Sequence, residues 1–406
     1  MKDVELYAKI LGLSKPWEVR GVRLDVAGKK VEVEIGYEEK ILWGNEAGER
    51  LPTHDHVERR WRHLDTCGFA TELVCRVPRL RNPDGSVETV KVPWAEKGSR
   101  FTLLFEAWAI ALLEASRSVS QAGELLDLGW EAVHRIMKRA VDRGLERRDL
   151  EGELPYLGLD EKSFLRGQSY VSVMTDLEGG RVLDVTEGRD QIAAQCLLAS
   201  LSDEQREGVQ AVAMDMAASF QAAVEAELPE AEIVHDKFHI SQALNEAVDQ
   251  VRRSENKVLE EEGDETLKKS RQLWLLDEAK HSEEQAALFA VLKGMELKVA
   301  RAWAMKEMFR RFWEYRSEGW ARRFFANWCD WVMKSGLTPM KKVAKMLEKR
   351  FENIISYLRH AITNAVTEGL NSKIQNLKGN ARGFRNFDNY RIRILFFCGK
   401  LDLNPL

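Results

Sequence analysis

Between Leu154 and Asp236 the sequence alternates short apolar runs with helical stretches in an order that restricts the fold. The runs LPYLGLD, SYVSVMTD and RVLDVTEG come first, the latter two joined by the hairpin turn LEGG. A helix starting near Asp190 follows, then the strand VQAVAMD, a helix to Leu228 and the strand AEIVHD. Strands joined by tight hairpins run antiparallel, whereas strands joined through a helix run parallel. The predicted product is a mixed α/β sheet, antiparallel at first and crossed over by helices afterwards.

That order places acids. Asp160, in GLDEKSF, ends the first predicted strand, and Asp215, in AMDMAASF, ends the fourth. Acids at the carboxyl ends of adjacent strands project into one crevice, and a helix crossing that edge brings a third, Glu368. Such oxygen ligands suit Mg²⁺ or Mn²⁺, whereas His or Cys would favour zinc. Two such ions, roughly 3.5–4 Å apart, activate a nucleophile and stabilise the leaving oxygen in phosphodiester cleavage. Glu161 competes with Asp160, but strand alternation points it the other way. Taken singly, an acid at a strand end is more often a helix cap or turn residue. Asp190 reads as such a cap, and Asp176 and Asp184 as hairpin residues.

The Glu368 segment, VTEGLNSKIQNLKGNARGFRNF, reads as a helix with two faces. Asn364, Glu368, Asn371 and Gln375 share one side; Ala361, Ala365 and Val366 begin the other, and Leu370, Ile374 and Leu377 continue it. Thirteen Lys or Arg stand against four Asp or Glu between Thr338 and Lys400, in a chain whose net charge is −4. A local basic block in an acidic protein points to a polyanion. Lys373, Lys378, Arg382, Arg385, Arg391 and Arg393 are the candidates to meet DNA phosphates beside the acid. The competing reading is a solvated helix face.

Upstream, residues 18–36 alternate as a β-hairpin turning at AGKK, and residues 41–94 read as irregular apart from a possible strand ATELVCRVPRL. Val119, Ala122, Leu125 and Leu126 predict one short helix, and Val133, Ile136 and Met137 a second, joined at LDLG. With His134, Arg135, Lys138 and Arg139 on the second helix, the pair fits a DNA-binding helix-turn-helix, or else an ordinary helical hairpin. Residues 240–361 are almost wholly helical and rich in tryptophan, which predicts a bundle inserted in the α/β domain, with a break at Thr338–Pro339. Five scattered cysteines argue for a reducing compartment and against a disulfide framework. No apolar run is long enough for a membrane span and the N-terminus is no signal peptide, so the expectation is a cytoplasmic protein, without membrane partners.

Five stretches in order, WRHLDTCGF, VPWAEKGSRFT, GLDEKSF, VHDKFHI and TEGLNSKIQNLKGNARGF, resemble the DDE transposases of bacterial insertion sequences, most closely the ISL-three family. The resemblance covers nearly the full length. It implies an RNase H-like core with Asp160, Asp215 and Glu368 as the metal-binding triad, two Mg²⁺ (or Mn²⁺) per active site, and an α-helical insertion before the glutamate. It implies cleavage and joining of double-stranded DNA, at terminal inverted repeats and target, by a homodimer or higher synaptic assembly associated with the bacterial nucleoid. VHDKFHI adds Asp236, Lys237 and His239 as auxiliary residues, beside Asn371; helix capping by Asp236 and core packing of His239 are the alternatives. Relatives carry a zinc ribbon with paired cysteines where this chain has WGNEAG and RNPDGS, so zinc is not expected. Asp127 stands where a relative has glycine in the helix-turn-helix connection, in a left-handed conformation that aspartate tolerates.

The expected organisation is a β-rich module with a degenerate zinc-ribbon-like region (1–95), a helix-turn-helix (96–150), the first part of the core (151–240), the helical insertion (241–361) and the rest of the core with the glutamate helix and basic tail (362–406). A transposase is the leading reading. A catalytically inactive DNA-binding descendant and a structure-specific nuclease on the same fold are its rivals.

Overall fold

A computed structural model of the chain describes every residue except Met1, Glu39, Lys40, Glu46 and residues 149–151 and 166–168. The expected boundary at 150/151 and Glu46 of WGNEAG therefore lie outside the described residues. The chain divides into two compact units, Met1–Arg148 with Leu401–Leu406, and Asp149–Lys400. The last six residues thus depart from the expected organisation: Arg143 donates to the Leu403 carbonyl at 2.7 Å, and Arg147 donates to Asp402 and the Asn404 carbonyl.

The first unit holds a sheet in the order Trp17–Asp25, Lys30–Tyr37, Phe69–Arg81, Thr53–Thr66. The hairpin at AGKK is present, with Leu24 paired to Val31. Thr53–Thr66 corrects the reading of 41–94 as irregular. This long strand lacks an apolar alternation because only Trp61 and His63 of its inward side are fully buried, while His54, His56, Glu58 and Arg60 face out. Trp61 packs with Trp17, Trp43, Trp94, Val33, Leu73 and Val77.

Three helices follow, Leu103–Ser116, Val119–Leu126 and Trp130–Glu146. Thr102 caps the first and Ser118 the second, each accepting a backbone N–H. Asp127 takes the left-handed conformation, φ 52° and ψ 48°, and closes the turn. At Gly123 a Cβ would meet the Leu128 carbonyl at 2.7 Å, so close helix–turn contact requires glycine there. Val119, Ala122, Leu126, Val133, Ile136 and Met137 are buried as expected; Leu125 is not, being 68% exposed.

The second unit carries a five-stranded sheet in the order Arg181–Glu187, Tyr170–Asp176, Tyr156–Ser163, Ala211–Met214, Glu232–His235. The first three neighbours pair antiparallel and the last two lie parallel to the Tyr156–Ser163 strand, as the turn and crossover lengths demand. Leu157, Leu159, Val212 and Met214 face the crossover helices Gln191–Leu198 and Ala218–Glu227 through Leu197, Phe220 and Val224. The opposite face receives the Glu368 helix, Ala365–Asn380. Gly158 allows this approach, because a Cβ there would sit 2.4 Å from the hydroxyls of Thr175 and Thr367. Those hydroxyls bond each other at 2.8 Å in a dry setting.

Between the last strand and the Glu368 helix, helices from Lys237–Glu261 onward build their own core around Trp274, Phe289, Phe309, Phe312 and Trp328. The aromatic repeats are therefore mostly packing, and Pro339 opens the helix Thr338–Lys349 rather than kinking one. Trp320 and Trp331 stay exposed.

Candidate active site

Register brings two aspartates level. Ala213 pairs with Gly158 and Met214 with Leu159, so one step further Asp215 stands beside Asp160. Alternation then puts both on the side of Gly158 and Ala213, the side that carries the Glu368 helix. Asp160 does not end its strand, which runs on to Ser163. Met214 also pairs with His235, and Asp236 donates its N–H to the Met214 carbonyl. Asp160, Asp215 and Asp236 thus stand level across three parallel strands, the latter two just past their strand ends.

The Asp160 carboxyl accepts the Glu161 N–H at 2.8 Å and the Asn371 side-chain amide at 2.5 Å. Burial holds it above the usual carboxylate range, and the charge of Asp215 pushes the same way; Lys162 and His239 oppose. Asp215 accepts the Ala217 N–H at 2.9 Å, which fixes its carboxyl over the turn. Glu161 takes Arg189 instead.

Asp236, buried, caps the next helix by accepting the Phe238 N–H at 3.0 Å. His239 is half-buried rather than in the core, and its charge reaches Asp160. Lys237 is exposed, with its ammonium 5.6 Å from the Tyr357 ring. His235 and Arg350 escaped the sequence reading. His235 is fully buried beside the Met214 and Asp215 backbone, and burial with the charge of Arg350 pushes it down to about 4. Arg350, far along the chain, donates to the Met216 carbonyl at 3.4 Å. Nothing local in the sequence signals that contact, although a glycine inside a strand could have flagged the close approach at Gly158.

Glu368 lies in the first turn of its helix and is exposed. The asparagines that share its side are not solvated: Asn364 and Asn371 are buried, flanking Thr367, Leu370 and Ile374. Val366, expected on the apolar side, is exposed. Among the described residues, no three His, Cys, Asp or Glu gather closely enough to hold a metal ion. Register sets Asp160 beside Asp215, Asn371 bonds Asp160 and His239 acts on it, while Glu368, three residues before Asn371, is exposed. Asp160 and Asp215 thus offer two adjacent carboxylates, a ligand type that suits a divalent cation.

The basic residues divide. Lys373, Arg382 and Arg385 are exposed and form no ion pair among the described residues. Lys378 donates to the Ser163 carbonyl at 2.8 Å. Arg391 holds Asp184 through two bonds, at 2.7 and 2.8 Å, and Arg393 is buried over the Phe384 ring. These last two correct the expectation of a free phosphate-binding surface. On the second helix of the helix-turn-helix, Arg139 is committed to the buried Glu106 and Lys138 to Asp142. Arg135 is exposed, and His134 stacks on Trp130 at 4.8 Å.

Comparison with known proteins adds three family matches. A transposase profile of the DDE, ISL3 type matches residues 157–394, a helix-turn-helix of ISL3 transposases matches 90–141, and the zinc-finger of the IS204/IS1001/IS1096/IS1165 transposases matches 48–82. The last match runs through Cys67 and Cys75, so a ribbon lacking its cysteines is not supported. Cys67 is exposed and Cys75 buried. The chain is 25% identical to the transposase of insertion sequence element IS1001 from Bordetella parapertussis, covering 90% of this chain and 91% of that one. It is 23% identical to the transposase of IS1557 from Mycobacterium tuberculosis, covering 95% and 93%. Among the described residues no helix is long and apolar enough to cross a membrane.

Proposed function

We propose, from the premise that this chain belongs to the ISL3 family of DDE transposases and is an enzyme that acts on DNA, that it cleaves and joins DNA at the ends of an insertion sequence by two-metal phosphoryl transfer. One observation carries the site assignment: Asp160 and Asp215 stand level on adjacent parallel strands, with Asp160 held by Asn371. The sheet order, antiparallel hairpins followed by parallel crossovers, supports the RNase H-like reading, and the helices between strand and glutamate support an insertion. The relatives named above are transposases of insertion sequences, which supports the same substrate here.

Asp160 and Asp215 would hold Mg²⁺ or Mn²⁺, which when bound activates the attacking oxygen and stabilises the leaving one. The chain's own residues prepare this. Asn371 fixes the rotamer of Asp160, Ala217 that of Asp215, and His239 acts on Asp160 electrostatically without a direct bond. Glu368 would be the third member of the triad, on the helix that already sets Asn371 against Asp160. Lys373, Arg382 and Arg385 would contact phosphates, and Arg135 with His134 would read DNA in the other unit. Joining requires two element ends at once, which calls for a homodimer or larger assembly.

The test is cleavage and strand transfer on the native element ends with Mg²⁺ or Mn²⁺. Cut and joined products are expected. Cutting without joining would favour a nuclease, and DNA shifted but never cut would favour a binding-only descendant.

A further inference from the structure

A groove of about 760 Å³ runs along the helix Lys237–Glu261, away from the strand edge that carries Asp160 and Asp215. Ile240, Leu244, Val248 and Val251 turn the helix's apolar side into the helical core. Its other side lines the groove, and the chemistry changes along it. At the near end Phe238 is 55% exposed, two residues beyond Asp236 and in ring contact with His239 at 5.5 Å. The amides of Gln242 and Asn245 come next, the Asn245 Oδ1 shielded from solvent and without a hydrogen-bond partner among the described residues. At the far end Arg252, Arg253 and Arg271 gather around one buried carboxylate, Asp249, at 2.9, 3.3 and 3.5 Å.

Three guanidiniums on one carboxylate exceed what neutralising it needs, and Asp249 serves to hold them in one orientation. Glu246, the other acid in the groove, takes the Gln242 amide at 3.0 Å. An aromatic face, then amide groups of which the Asn245 Oδ1 is without a partner among the described residues, then fixed guanidiniums is the series that a single nucleic-acid strand needs: stacking, base-edge bonding and phosphate contact. Fifteen residues separate Phe238 from Arg253, about 22 Å along a helix, room for roughly four nucleotides or more. We infer that this groove holds a single strand of DNA leaving the reaction site, with a base stacked on Phe238 and phosphates on Arg252, Arg253 and Arg271. The direction of the strand rests on the reading of Asp160 and Asp215 as the site of reaction; the groove's affinity for a strand does not.

The test uses the full chain in EDTA, so that no cleavage intervenes, and two probes: fluorescent oligo-dT of about twelve nucleotides and a blunt duplex of random sequence. F238A is expected to weaken oligo-dT binding about tenfold and F238W to restore it. R253E weakens it further and flattens its salt dependence. Duplex binding stays within about twofold in all three variants. Unchanged oligo-dT affinity in F238A and R253E overturns the inference, as does an equal loss for both probes. Arg253 is well exposed, so its variant folds even where that of Phe238 does not. Should D160N still cut DNA, the reaction site has been misassigned while the oligo-dT result stands.

Discussion

The two sheets of this chain treat charge in opposite ways. In the first unit, outward-facing charges pair across strands. Glu32 accepts Arg60 and Arg23, each at 2.6 Å, Lys30 meets Glu72 at 2.7 Å, and Arg79 holds Asp55. The Arg60 guanidinium accordingly holds the Glu32 carboxyl below its usual range. In the second unit, parallel strands in register set acid beside acid, so burial and, less, Asp215 hold Asp160 above its range. A paired charge relaxes a fold. An acid left facing another acid costs stability and is kept where a cation or a reaction uses it.

The largest expected effect tests that contrast directly. D160N or D215N should lower cleavage about a thousandfold or more while DNA binding persists, because charge stabilisation at the reacting phosphate is removed. E32Q, an equal change of charge on the other sheet, should leave cleavage unaltered. A shared loss across all three variants, read in one cleavage assay, would break the comparison.

One histidine in each unit sharpens it. His63, bonded to Thr102 Oγ1 at 2.9 Å, and His235, buried against the Met214 and Asp215 backbone, are both pushed from 6.5 down to about 4, chiefly by burial. The unfolded chain binds more protons between these values, so stability falls as pH drops from about 6.5 to 4. Each contributes on the order of 3 kcal/mol across that window. Acid melting should show H63Q flattening the loss of the first unit alone. If it flattens both transitions, the two units do not unfold separately.

What was legible follows the same division. The mixed sheet, its turns, the helix-turn-helix and the levelling of Asp160 with Asp215 came from local pattern, since alternation and turn length govern register. The strand Thr53–Thr66 was hidden because cross-strand ion pairs, not apolar alternation, stabilise its outer side. Arg391 and Arg393 looked like phosphate ligands because spacing cannot say that Asp184 and Phe384 fold against them. Asn371, expected on the Glu368 side, is buried alongside Leu370 and Ile374 while Glu368 is exposed, and its bond to Asp160 spans 211 residues, which no local rule reaches.

That bond supplies the next prediction. N371L keeps the size of the side chain but removes the donor that orients Asp160. Cleavage should fall about 10- to 100-fold, with a higher concentration of Mg²⁺ or Mn²⁺ needed for half-maximal rate. A fall in maximal rate with no change in metal requirement would place Asn371 at the DNA instead.

The smallest effects lie in stability, and here the two sheets should respond with opposite signs. The raised Asp160 binds its proton more tightly folded than unfolded, so ionisation weakens the fold as pH rises through the unfolded and then the folded value. D160N should therefore raise the melting temperature at neutral pH, with the gain shrinking as the solution is acidified. Glu32 is the reverse: its lowered value adds stability above the unfolded pKa that is lost as pH falls through the folded one. E32Q should cost about 1 kcal/mol or less at neutral pH, as surface ion pairs do, and nothing in acid. Melting curves of both variants at two pH values decide the matter. Destabilisation by D160N at neutral pH would mean that Asn371 and the Glu161 N–H already compensate its charge, and that the second sheet holds its acids as comfortably as the first.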